Sequence, residues 1–117
     1  MLRRFLNTKI HRAHVTQTDL EYEGSLTIDK ELMDLAGILP NEQVEVYNIT
    51  RGTRFKTYAI VGEPGKGEMC VNGAAAHLAE VDDLIIVVTY VDLHGDEIES
   101  HSPKVIVVDA NNKPLTK

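Results

Sequence analysis

The chain offers few groups at spacings that do chemistry. Of its five histidines, His11 and His14 stand three apart, a separation that suits a shared metal on a helix. The residues around them alternate as a strand does, and a strand sends positions three apart to opposite faces. His77, His94 and His101 fall near turn signals without a carboxylate or thiol at ligand spacing, so no metal site is expected. The lone thiol, Cys70, adjoins Val71 in an apolar run and reads as core. No hydroxyl sits in a Gly-x-Ser-x-Gly elbow beside a base. Residues 62–68 (GEPGKGE) have a superficial phosphate-loop look, but Lys66 precedes Gly67 and a carboxylate, Glu68, follows. That stretch reads as a hairpin turn. What remains is Gly24 followed by Ser25. Alone, such a dipeptide marks a turn or a bulge, and its context decides whether it is more.

The elements that must position these groups are mostly strands. Residues 4–16 (RFLNTKIHRAHVT) alternate, with Lys9, His11 and Ala13 on one face and Ile10, Arg12 and His14 on the other. A loop through Thr18, Asp19 and Glu21 leads into residues 21–29 (EYEGSLTID), strand-like around a central glycine. Asp29 N-caps a short helix whose apolar stripe is Leu32, Leu35 and Ala36, ended by Gly37 and Pro40. Residues 43–50 (QVEVYNIT) and 54–61 (RFKTYAIV) form a hairpin around Arg51 and Gly52. A brief strand at residues 69–72, helical turns at 73–79, and strands at 84–91 and 104–108 follow. The tail, residues 111–117 (NNKPLTK), is expected to be disordered. Six or seven short strands with two short helices suggest one β-barrel.

Composition narrows the partners. The 117 residues suit a single domain, and aromatics at only 5% leave Val, Ile and Leu to fill its core. Twelve basic and eighteen acidic side chains give a net charge of −6, which argues against nucleic-acid binding. Arg3, Arg4, Lys9 and Arg12 precede the first carboxylate, Asp19. This basic start runs straight into strand-like alternation without a cleavage-site pattern, and reads as a solvated edge rather than a targeting segment. One cysteine forms no internal disulfide, and no apolar run is long enough to span a bilayer. A cytoplasmic protein is expected.

Three segments read together resemble the pyruvoyl-dependent aspartate 1-decarboxylase family: residues 8–25 (TKIHRAHVTQTDLEYEGS), 48–60 (NITRGTRFKTYAI) and 71–77 (VNGAAAH). The likeness continues through residues 36–42 (AGILPNE), covers about residues 1–90 and fades after Asp92. It departs at Leu26, where a familiar relative has cysteine, and at Tyr47, where that relative has tryptophan. The resemblance implies a double-psi β-barrel, mainly β with short helices, and a homotetramer with active sites between neighbouring subunits. It also implies that residues 1–117 form one domain that cuts itself into 1–24 (the β chain) and 25–117 (the α chain). The cofactor would then be a pyruvoyl group made from Ser25, with neither metal nor pyridoxal phosphate. The activity would convert L-aspartate to β-alanine and carbon dioxide, supplying pantothenate and coenzyme A synthesis.

That chemistry distributes roles. Ser25 Oγ attacks the Gly24 carbonyl in an N-to-O acyl shift, and glycine leaves the carbonyl open and the backbone free to strain. Loss of the Ser25 α-proton expels the Gly24 carboxylate, and hydrolysis of the dehydroalanine leaves the ketone. By the resemblance, Thr57 engages the Gly24 carbonyl during processing and joins the substrate site. Tyr58 is the expected proton donor in turnover, since a phenol stays protonated at neutral pH. A regular strand points Thr57 and Tyr58 to opposite faces, so a twist or bulge is expected to unite them. Arg54 offers a planar fork for the carboxylate that aspartate retains, and Lys9 a second cation. Asn72 is expected to bond the reacting region, and the amides of Gly73, Ala74 and Ala75 to meet a carboxylate. Tyr22, Tyr47 and His11 complete the pocket. A non-catalytic barrel that binds a small acid is the rival from another class.

Overall fold

The computed structural model describes residues 1–115. Runs rich in Val, Ile and Thr form eight strands: β1 Arg3–His14, β2 Gln17–Asp19, β3 Ser25–Asp29, β4 Gln43–Asn48, β5 Arg54–Gly62, β6 Met69–Asn72, β7 Leu84–Leu93 and β8 Lys104–Val107. Helices α1 (Lys30–Ala36) and α2 (Gly95–Ile98) and a 3-10 helix, Gly73–Leu78, lie between them. The strands join in the order β2-β6-β3-β5-β4-β7-β1-β8. Three neighbouring pairs are parallel: β1 with β8, β2 with β6, and β3 with β5. Parallel neighbours require crossovers rather than tight turns. This interleaved, mainly β architecture is the class the sequence predicts and is consistent with a double-psi barrel. Ile10, Leu26, Val44, Val46, Ile85 and Val87 are fully buried at its core.

β1 departs from simple alternation. Its ladder with β7 shifts between Leu6 and Thr8 and again between Ile10 and Ala13. The second shift coincides with Arg12 at φ +67°, so one extra residue is absorbed there. Ala13 therefore joins Ile10 in the core instead of sharing the face of Lys9 and His11. A period-two reading cannot register a bulge.

Other local expectations also shift. β2 is a short strand beside β6 where a loop was expected, and β3 begins at Ser25, after a turn, rather than running through Gly24. Helix α1 buries Leu32, Met33 and Ala36, while Leu35 faces solvent. Asp29 caps α1 as predicted, its carboxylate accepting the Glu31 N–H at 2.8 Å.

Residues 62–68 do not form a hairpin turn, because β3 lies between β5 and β6. The loop arches over the end of β3 and donates the Gly65 and Gly67 N–H groups to Asp29 at 3.0 and 2.7 Å. Burial pushes the Asp29 carboxyl up, but the donors from Gly67, Glu31 and Gly65 outweigh it and hold the group below its ordinary range.

The tail is ordered as far as it is described. Val108 pairs with Pro114, and buried Asn112 accepts the His14 N–H and donates to the carbonyls of His14 and Gly67. Polar composition suggested disorder, yet one side-chain amide satisfies three backbone groups, two of His14 and one of buried Gly67. Thr116 and Lys117 lie outside the described residues.

Candidate active site

Ser25 opens β3 and is fully buried. It pairs with Asn72 across the antiparallel ladder with β6, and Thr27 pairs with Cys70. Paired and alternate positions share a face, so these four side chains meet. The Asn72 amide donates to Ser25 Oγ and to Thr27 Oγ1, each at 2.9 Å. Its oxygen accepts from the Cys70 thiol at 3.1 Å. Burial, then the charges of Glu68 and Asp19, push that thiol up, so it stays protonated and able to donate. Ser25 directs its own hydroxyl at the Glu23 carbonyl, 3.4 Å away. Cys70 is core, as predicted, and it is also the group that orients Asn72.

Gly24 precedes this cluster in open space: a Cβ added there would meet nothing within 4 Å. Its backbone is not among the left-handed residues, so strain at Gly24 is not what the glycine serves. The steric demand falls on Gly73, at φ +67°. A Cβ there would sit 2.6 Å from Gly24 Cα and N and 2.8 Å from the Tyr22 carbonyl oxygen. Two chain segments thus pass backbone to backbone at Gly24, on the side away from its bond to Ser25.

Gly73 begins the 3-10 helix. Asn72 stands at its N-cap position without a side-chain capping bond: its oxygen accepts from Cys70, and its NH2 donates to Ser25 and Thr27. Gly73 is buried, Ala75 half-buried and Ala74 exposed. Tyr22, Thr27, Cys70 and Asn72, with Ile60 of β5, line one hollow.

β5 carries the next group. Its ladders with β3 and β4 run without a register shift. The bulge expected to unite Thr57 and Tyr58 is absent, and the two residues face opposite sides. Leu26 is level with Ala59, so Ser25 is level with Tyr58, on the same face of the sheet. Thr57 pairs with buried Val44 on the inner side.

A second hollow is lined by Glu45, Tyr47, Arg54, Phe55 and Lys56. The Arg54 guanidinium carbon lies 4.4 Å from the centre of the Tyr47 ring. Arg54 enters no ion pair among the described residues, and neither does Lys9. Arg54 stands four residues from Tyr58, which is about 13 Å along a strand. Lys9 and His11 lie on β1, four places from β3 in the sheet order. Burial, then Lys9 and Arg12, hold the His11 imidazole below its usual value, and its Nδ1 has no partner among the described residues.

One chain therefore gathers Ser25, Asn72 and Gly73 in one place and Tyr47 with Arg54 in another. Sequence reasoning missed Thr27, which two-residue alternation from Ser25 points to, and Tyr90, which nothing local marks.

The aspartate decarboxylase family model matches residues 1–115, so the likeness does not fade after Asp92. The chain is 56% identical to the aspartate 1-decarboxylase of Thermoanaerobacter pseudethanolicus over 115 residues, covering 98% of each chain. It is 54% identical over 113 residues to that of Staphylococcus epidermidis, covering 97% of this chain and 88% of the relative. It is 50% identical over 117 residues to that of Syntrophotalea carbinolica, covering 100% and 89%. Matched along its described length and sharing at least half its residues with these relatives, the chain belongs to the aspartate decarboxylase family.

Proposed function

We propose that this protein cuts itself between Gly24 and Ser25 and then converts L-aspartate to β-alanine and carbon dioxide. The observation that carries the proposal is the buried Ser25 hydroxyl, held by Asn72 directly after Gly24, a residue with no side chain and open space where one would stand. Ser25 Oγ adds to the Gly24 carbonyl carbon and the C–N bond breaks, leaving an ester and a free amine. Thr57, on β5 beside β3, is the hydroxyl proposed to meet the developing oxyanion. One such donor supports catalysis by about 3 kcal/mol in comparable sites. Loss of the Ser25 α-proton then expels the Gly24 carboxylate, and water releases ammonia to leave a pyruvoyl end on residues 25–117.

A buried hydroxyl residue held directly after a glycine fits that origin of the cofactor. The pyruvoyl group supplies the electron sink that lets the substrate's α-carboxylate depart. The protein's own side chains bind and orient. Arg54, stacked on Tyr47, holds the retained carboxylate through its free N–H fork. Lys9 adds charge that favours a dianion. Tyr58, level with Ser25 and on its face, returns a proton to the substrate carbon. Asn72 and Tyr22 line one hollow, and the Gly73–Ala75 amides, which begin the 3-10 helix directly after Asn72, are the groups offered to a carboxylate.

Arg54 and Lys9 stand apart from Ser25 within one chain, which favours sites completed by neighbouring subunits, in keeping with the homotetramer that the family resemblance implies. A cytoplasmic location accords with the single thiol, and among the described residues no helix is long and apolar enough to cross a membrane. Intact-mass measurement tests the proposal directly. Two fragments joining at Ser25, the larger lacking the serine amine, are expected from the wild type and one full-length chain from Ser25→Ala. A wild type that stays whole and releases no carbon dioxide from aspartate would overturn it.

A further inference from the structure

We propose that Tyr90 is a positioning residue for substrate: it fixes the Tyr47 ring as the platform from which Arg54 presents its guanidinium. The inference rests on the reading of Arg54 as the carboxylate-binding group. Tyr90 comes from β7, Tyr47 and Glu45 from β4, and Arg54 from β5. The Tyr47 and Tyr90 hydroxyls lie 2.8 Å apart, and Tyr47 donates to the Glu45 carboxylate at 3.2 Å. With the Tyr47 proton directed at Glu45, Tyr90 is the donor in the shorter bond. Burial, then Tyr90, raise the Tyr47 phenol well above its usual value, so the proton stays in place.

Two consequences follow for Arg54. A ring anchored at its hydroxyl offers a fixed face, so less side-chain freedom is lost when substrate binds. Glu45 lines the same hollow as Arg54 and is an acidic competitor for it. The Tyr47 hydroxyl bonds one oxygen of that carboxylate, and Glu45 forms no ion pair with Arg54.

The test is steady-state decarboxylation of aspartate by fully processed enzyme, with processing verified by mass. Tyr90→Phe is expected to raise KM about 3- to 10-fold, the effect of one lost hydrogen bond, and to leave kcat within about twofold. Tyr47→Phe should act in the same direction. The double variant should be no worse than the more severe single, because both break one chain of bonds. A merely structural role would instead lower kcat or impair processing. Arg54→Ala separates the two readings. If it raises KM while Tyr90→Phe leaves KM unchanged, the Tyr90 inference is overturned alone. If Arg54→Ala leaves KM unchanged, the Arg54 reading fails and takes the inference with it.

Discussion

The backbone of Gly24 occupies the space that a Cβ on Gly73 would need. These two residues, 49 apart in sequence, are in contact because β3 and β6 pair in antiparallel register at Ser25 and Asn72. The turn that follows β6 thereby packs against the residue just before Ser25. The proposed cleavage site is therefore built by tertiary contacts.

Gly73→Ala should slow self-cleavage by about tenfold or more. The new methyl must displace Gly24, and alanine at φ +67° costs about 1–2 kcal/mol. Time-resolved intact mass after expression measures the rate. Cleavage at the wild-type rate would show that the close approach does not matter for processing.

Cys70 should matter through its proton. Cys70→Val leaves Asn72 Oδ1 buried without its donor, at a cost of about 1–3 kcal/mol, and frees the amide to turn away from Ser25. Cys70→Ser retains a donor. Slow processing in the valine variant with near-normal processing in the serine variant is the expected pair of results. Equal rates in both would refute the orienting role.

Tyr58→Phe should separate the two activities. Its hydroxyl is absent from the processing scheme, so the variant should cleave at Ser25 normally. Decarboxylation should fall about 100-fold or more, the usual contribution of a placed acid. Full turnover by this variant would remove Tyr58 as proton donor.

Subunit mixing tests the divided site. Ser25→Ala and Arg54→Ala should each be inactive or weak alone. Denatured together and refolded, they should regain activity in hybrids that hold one intact site of mixed origin. Hybrids confirmed by mass yet wholly inactive would place Arg54 and Ser25 of one chain in the same site.

Acid stability should depend on Asp29. Its folded pKa is depressed, so its contribution is complete above the unfolded carboxyl value near 3.8 and is lost as pH falls through the lower folded value. Asp29→Asn should lower stability at pH 7 by about 1.5–3 kcal/mol, the range for hydrogen bonds to a charged group. It should also flatten the fall in melting temperature below pH 4. An unchanged acid slope would assign that fall to other carboxylates, such as Asp83.

Legibility followed the range of the interaction concerned. The β4–β5 hairpin, the Asp29 cap and the Gly37 stop were readable because each is decided within a few residues. The bulge at Arg12 was not, because an extra residue is defined only against the partner strand. The ordered tail escaped notice for a similar reason: Asn112 gains its partners from His14 and Gly67. Leu35 and Met33 exchanged places because helical spacing fixes neighbours on a face but not which face meets the sheet.

By itself the sequence determined the mainly β class, the family and the identity of the bond proposed to break, since side-chain chemistry, short-range periodicity and motif order are written in the chain. Tertiary structure alone decided that Asn72 faces Ser25, that Gly73 clears room for Gly24, and that Tyr90 reaches Tyr47. The first and last of those contacts join neighbouring strands, and a one-residue slip in pairing would turn their side chains to the other face. The glycines stand just outside the paired residues Ser25 and Asn72 and would be carried apart with them.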